Sequence, residues 1–217
     1  MRNMISLSWT LLRNGFDPNS IVALLELRHA LKDCNSVLDV GCGSSSSLRH
    51  FGFESLTGIE GYLPDAERAR KNATHDELLY GDVRLLEKKI QPGQFDACVA
   101  MDVIEHLTKE DGMGLIRTME RSASKKIIFF TPSGFLPQGH TENADLQQHL
   151  SGWEPAEMEL LGYSVMGMLG PKSLRGEYHV LRRRPKIFWG MVCILAHFIW
   201  ARRRPAKAAA MLCLKTK

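Results

Sequence analysis

From Ile21 onward the chain alternates between two hydrophobic rhythms. Ile21, Leu24, Leu25, Leu27 and Leu31 recur at helical spacing over residues 21–32, with Ser20 placed as an N-cap. Ser36–Val40 is then a short aliphatic run of the kind that a buried parallel strand requires. The alternation continues with a crossover helix at 45–51, a strand at Ser55–Glu60 and a helix from Pro64 to about Asn72. Strands follow at 77–82 and 94–101, then a long helix at 109–124 with Met113, Ile116, Met119 and Ala123 on one face. A fifth strand, 125–132, is stopped by Pro132; a short helix at 153–161 and a sixth strand at 163–169 come after it. For the last strand, 208–215 is favoured over 178–181. Strands alternating with helices predict an α/β fold with a doubly wound parallel sheet, whose ligand lies outside the carboxyl ends of the strands.

The stretch that organises the rest is Val37-Leu38-Asp39-Val40-Gly41-Cys42-Gly43, followed by four serines. Its glycines permit a sharp turn and let a ligand rest against main chain with no Cβ in the way. A Gly-x-Gly turn alone is weak evidence. Here a second apolar run ends in Gly58-Ile59-Glu60-Gly61, and Glu60 stands nineteen residues after Gly41. An acid about 20 residues on, at the end of the next strand, suits the hydroxyls of a ribose.

Asp39-x-Gly41-Cys42-Gly43, Glu60, Gly81-Asp82-Val83, Phe95-Asp96-Ala97 and Asp102-Val103-Ile104-Glu105-His106-Leu107 occur in the order and spacing of one family. Residues 19–169 resemble the class I S-adenosylmethionine-dependent methyltransferases of the type 11 kind. The sequence departs at Ser45, where many members carry a third glycine. The resemblance implies a Rossmann-like, seven-stranded, mostly parallel sheet with helices on both faces and an antiparallel last strand in its edge region. It implies S-adenosyl-L-methionine as cofactor, bound by Asp39, Gly41, Cys42, Gly43, Glu60, Gly61, Asp82 and Val83. Within that set Asp39 would lie near the methionine amino group, and Asp82 would meet the adenine amino group. Tyr62 and Met101 either pack on the adenosine or serve as plain core. A nicotinamide dehydrogenase fits worse, since the turn lacks the Gly-x-x-Gly continuation.

Asp102, Glu105 and His106 are the catalytic candidates. If the segment turns helically after the fourth strand, the three share one face at i, i+3 and i+4. That face could position an acceptor hydroxyl, or His106 could take its proton near neutral pH. The primary reading is methyl transfer to oxygen of a small-molecule, glycan or lipid-linked acceptor, with no metal. Small-RNA 3′-end 2′-O-methyltransferases and some ubiquinone-pathway O-methyltransferases also resemble this stretch. In that alternative an acid-x-x-Glu-His group holds a divalent metal, with His140 or His149 completing the site; the ligand set suits Mn²⁺, Fe²⁺ or Zn²⁺. His149-Leu150-Ser151-Gly152-Trp153 resembles a segment of sugar and cell-envelope methyltransferases, and reads equally as an acceptor wall or a surface loop anchored by a buried Trp. A third reading is a non-catalytic cofactor-binding scaffold at a membrane.

The chain has 217 residues and a formal net charge of +4, with basic residues piled at 182–184, 186, 202–204 and 207. The remainder is close to neutral or acidic, which makes nucleic acid an unexpected partner. Cys34, Cys42, Cys98, Cys193 and Cys213 form no CxxC pair, and the plain reading is reduced thiols in the cytoplasm. The apolar run at 5–12 is too short and too polar for a signal peptide, so residues 1–18 read as an arm before a single methyltransferase domain over 19–217.

That domain includes a basic-flanked hydrophobic helix within 182–207. Its apolar stretch, 187–201, is interrupted only by His197. Fifteen helical residues reach about 22 Å, short of the roughly 30 Å hydrocarbon core. Two readings follow: a buried or partner-facing helix, or a helix lying on the inner face of the cell membrane with 186–204 in contact. The second is preferred.

Overall fold

The computed structural model describes residues 18–137, 148–176 and 179–217. The arm expected at 1–18 therefore lies outside the described residues but for its last position, and so does His140. Helix α1 (Pro18–Ala30) leads into β1 (Ser36–Val40), β2 (Ser55–Glu60), α2 (Leu63–Lys71), β3 (Glu77–Tyr80) and β4 (Phe95–Met101). Then come α3 (Lys109–Ser122), β5 (Ala123–Pro132), α4 (Pro155–Leu160), β6 (Ser164–Pro171), α5 (Lys186–Ile199) and β7 (Ala208–Thr216).

The sheet runs β3-β2-β1-β4-β5-β7-β6. The first five strands pair in parallel, and β7 runs antiparallel between β5 and β6. Buried residues of the central strands alternate between two cores. Cys98, Ala100, Ile127 and Phe129 pack with Leu115, Ile116 and Met119 of α3. Their neighbours Ala97, Val99, Ile128 and Phe130 pack with Ala23, Leu27 and Ala30 of α1. The period-2 alternation of a strand thus gives each face its own layer of helix. This is the Rossmann-like α/β sheet expected from the sequence.

Several local expectations are corrected. Ser20 does not cap α1 but lies inside it. The first crossover is a single 3-10 turn, Ser47–His50, in place of a helix at 45–51. Its serines compete with helix by bonding backbone: Ser46 Oγ accepts from the Leu48 N–H at 3.2 Å. The last strand is the expected one: β7 is antiparallel and stands in the edge region, one place in from β6 at the edge itself. Of the competing segment 178–181, Leu181 forms only an isolated bridge with Arg175. None of the five cysteines is in a disulfide. Among the described residues no helix is long and apolar enough to cross a membrane.

Candidate active site

The turn after β1 is stitched to the end of β2. Gly41 and Cys42 donate their N–H groups to the Ile59 carbonyl at 2.8 and 3.1 Å. Gly43 follows at φ +61°, a conformation that favours glycine, and a Cβ built there meets nothing within 4 Å. The same loop reaches Glu60, whose Oε2 accepts the Gly43 N–H at 2.8 Å and whose Oε1 accepts the Tyr62 N–H at 2.7 Å. Glu60 is 9% exposed, so its carboxylate is fixed at the strand end. Each oxygen keeps a second lone pair, enough to accept from two neighbouring hydroxyls.

Asp39 lies beneath this loop, buried, with Oδ2 accepting from Ser46 Oγ at 2.5 Å and paired with His75 Nε2 at 3.1 Å. His75 Nδ1 is in turn 2.8 Å from Thr74 Oγ1. Ser46 and His75 were not legible as site residues. No linear spacing ties position 75 to position 39; the β2–β3 pairing brings them together. Cys42 is buried, and burial pushes its thiol well above the usual range.

Asp82 caps the 3-10 turn Val83–Lys88 and receives the Arg84 guanidinium on both oxygens, which holds its carboxyl below the usual range. An adenine amino group would have to share that carboxylate with Arg84. Gly61 lies close to Gly81: a Cβ on Gly61 would stand 3.5 Å from the Gly81 carbonyl oxygen. Tyr62 is 40% exposed, which leaves its ring available to a ligand. Val83 and Met101 are half-buried, each packed on one of the two cores.

The segment after β4 departs from the expected helical face. Asp102 takes a positive φ of 52°, and only Ile104–His106 forms a 3-10 turn. Asp102, Glu105 and His106 are therefore not stacked on one helix face. Asp102 is exposed, His106 is half-buried and Glu105 is 2% exposed. Glu105 Oε2 accepts from Thr131 Oγ1 at 3.0 Å, whereas Oε1 is buried with no hydrogen-bond partner among the described residues. Burial, followed by the charge of Asp102, holds the Glu105 carboxyl well above the usual range.

The loop after β5 comes back to this turn. Leu150 and Ser151 donate their N–H groups to the Glu105 carbonyl, and the buried Trp153 donates Nε1–H to the Ile104 carbonyl at 3.3 Å. Trp153 is thus an anchor, and it delivers His149 beside His106 with ring centroids 4.8 Å apart. His106 Nδ1 lies 3.2 Å from the Gln148 carbonyl and His149 Nδ1 lies 2.7 Å from that of Leu136. Carbonyl partners make Nδ1 the protonated nitrogen and put the lone pair on Nε2, the arrangement seen around metal-binding imidazoles. Glu105, His106 and His149 each offer a ligand atom within 4.8 Å of the others. Burial lowers the His149 pKa.

Residues 38–130 match the family described as Methyltransferase domain. No curated protein matches the chain. Among solved structures, the fold is similar to a SAM-dependent methyltransferase from Archaeoglobus fulgidus (TM-score 0.60, 14% identity, 90% of this chain and 92% of that one). It is also similar to the plantazolicin methyltransferase BamL, solved with a triazolic desmethylPZN analog and SAH (TM-score 0.57, 15% identity, 98% and 90%). The methyltransferase domain of bacterial CtHen1 gives a TM-score of 0.56 at 18% identity over 89% of this chain and 96% of that one. The glycine turn, the fixed Glu60 carboxylate and the domain match fit S-adenosylmethionine as the cofactor. Residues 38–130 thus match a methyltransferase domain, and the chain has the fold of S-adenosylmethionine-dependent methyltransferases.

Proposed function

We propose that this enzyme transfers the methyl group to an oxygen of a small-molecule, glycan or lipid-linked acceptor. The observation that carries the reading is the Glu105–His106–His149 group at the carboxyl end of β4, with one buried Glu105 oxygen unpartnered among the described residues. On this reading Glu60 holds the ribose hydroxyls, and Asp39 braces the loop that faces the methionine end. His106 accepts the acceptor's hydroxyl proton as the O–CH₃ bond forms and the S–CH₃ bond breaks, leaving S-adenosylhomocysteine. Little covalent chemistry is asked of the protein, and orientation supplies most of the acceleration. Asp102, at the carboxyl end of β4, supplies a carboxylate on the side where this reading puts the sulfonium.

The test is to supply methyl-labelled S-adenosylmethionine with aqueous, glycan and organic extracts, using wild type and His106→Ala. Label should enter a base-stable ether. His106→Ala should lower transfer by about 10²–10⁴-fold with S-adenosylhomocysteine affinity unchanged. Label on nitrogen, or full activity in the variant, contradicts the reading.

A second reading is metal-assisted O-methylation, including that of an RNA 2′-hydroxyl, and the same three residues favour it. Glu105, His106 and His149 would hold a divalent transition metal, which would lower the pKa of a bound hydroxyl. Calorimetry with Mn²⁺ separates the two: binding abolished in His149→Ala, with activity lost to chelators, selects the metal; activity indifferent to chelators removes it.

A further inference from the structure

Helix α5 is amphipathic in an unusual sense. Gly190, Cys193 and His197 are buried against the body of the protein. On the opposite side Ile187, Phe188, Met191, Leu195, Phe198 and Ile199 are each 56% to 76% exposed. The polar face that normally fills this position is missing, and an apolar stripe spans the helix. Charge gathers only at its ends: residues 182–184 and 186 before it, and 202–204 and 207 after it, are all basic and exposed. No Asp or Glu follows Glu177 in the chain. At one end the Arg183 guanidinium lies over the Trp189 ring at 4.8 Å, and at the other Arg202 pairs with Glu26 at 3.0 Å.

We propose that α5 is an interfacial anchor that seats the protein on an anionic lipid bilayer. Its apolar stripe would enter the acyl boundary, with its tryptophans and basic ends at headgroup level. The other occupants fit the charges less well. A second copy packed through the same stripe would bring basic ends together whichever way the two helices ran. RNA would use the arginines and leave the aliphatic side chains in water.

The direction of α5 relates this surface to the active site. Strand β6 runs parallel to β5, so its Pro171 end lies at the same edge of the sheet as the end of β4. Gly170 of β6 faces Cys193, whereas Gly167, further back, faces Ala201. The helix therefore runs back along the strand, with Lys186 toward the active-site edge. The segment between β6 and α5 closes the connection. Arg175 is buried and donates Nε–H to the Leu169 carbonyl at 2.6 Å, and His179 Nε2 stands 4.0 Å from Asp102 Oδ1. The chain that passes Asp102 thus becomes the basic entry to the anchor three residues later, at Arg182. On this placement the acceptor is the hydroxyl of a lipid-linked compound drawn from the bilayer, a point that rests on the oxygen-transfer reading above.

The experiment is flotation of the full chain with vesicles of phosphatidylcholine, alone or mixed with phosphatidylglycerol. The comparison variants are M191E/L195E, both on exposed positions, and R203E/R204E. Wild type should float with the anionic vesicles, and either variant should lower that binding by at least about tenfold. Both variants should bind S-adenosylhomocysteine as wild type does, which separates failure of docking from failure of the cofactor site. No flotation by wild type, or equal flotation by M191E/L195E, overturns the anchor. So does a change of oligomeric state in that variant, which would assign the stripe to a second copy, or single-stranded RNA displacing the vesicles. For the acceptor, methyl label in the organic phase that disappears in M191E/L195E supports the lipid-linked class; aqueous label indifferent to that variant overturns it.

Discussion

The Gly43 N–H donates to Glu60 Oε2 at 2.8 Å, tying the loop after β1 to the end of β2. A single carboxylate therefore does two things. It fixes the glycine turn in its open form, and it waits at the strand end with acceptor capacity to spare. A hydrogen bond to a charged group contributes about 1.5–3 kcal/mol, so the loop is held in place before any ligand arrives. Pre-ordering of this kind lowers the entropy lost on binding.

Asp39 depends on His75. Removing the imidazole in His75→Ala leaves a buried carboxylate with one donor fewer, at an expected loss of about 1–3 kcal/mol in stability. Urea denaturation measures the loss, and calorimetry should show weaker S-adenosylhomocysteine binding as the loop above Asp39 loosens. Unchanged stability and affinity would show that the pair is incidental.

Glu105 gives the protein a pH signature. Its folded carboxyl is held above the usual range by burial and then by Asp102, so the unfolded chain ionises first as pH rises. Between the two values the folded state holds more protons, and stability falls with increasing pH. Glu105→Gln removes this penalty. Relative to wild type, the variant should gain stability between about pH 4 and pH 8 in chelator-treated protein. Urea midpoints at both pH values check it; a constant difference contradicts it.

Two glycines make opposite predictions. A Cβ at Gly167 would stand 2.1 Å from the Ala201 carbonyl oxygen, so Gly167→Ala should lift α5 from β6 at about 1–3 kcal/mol or more. Gly114, inside α3, has only the end of Arg117 within 4 Å. Gly114→Ala should therefore stabilise by about 0.5–1 kcal/mol. Thermal unfolding of both variants reads the two signs.

Much of the fold was legible because β4 and β5 carry the apolar runs 97–101 and 127–130, ended by Asp102 and Pro132, and burial on both faces suits a central parallel strand. The carboxyl-end acids could be placed from strand ends alone. The conformation after β4 could not: a positive φ at Asp102 breaks the helical period that the spacing of Glu105 and His106 suggested. His149 was one of two candidates to join His106, and its place is set by Trp153, forty-nine residues from its Ile104 partner. The linear pattern of α5 was apolar all round, and only its packing on β6 divides it into a buried and an open face.

The most direct measurement is calorimetric titration of S-adenosylhomocysteine into wild type, Glu60→Ala and His106→Ala. The account predicts binding by wild type, at least tenfold weaker binding in Glu60→Ala, about 1.4 kcal/mol, and no change in His106→Ala. Folded wild type that fails to bind, or Glu60→Ala that binds as wild type does, would contradict it.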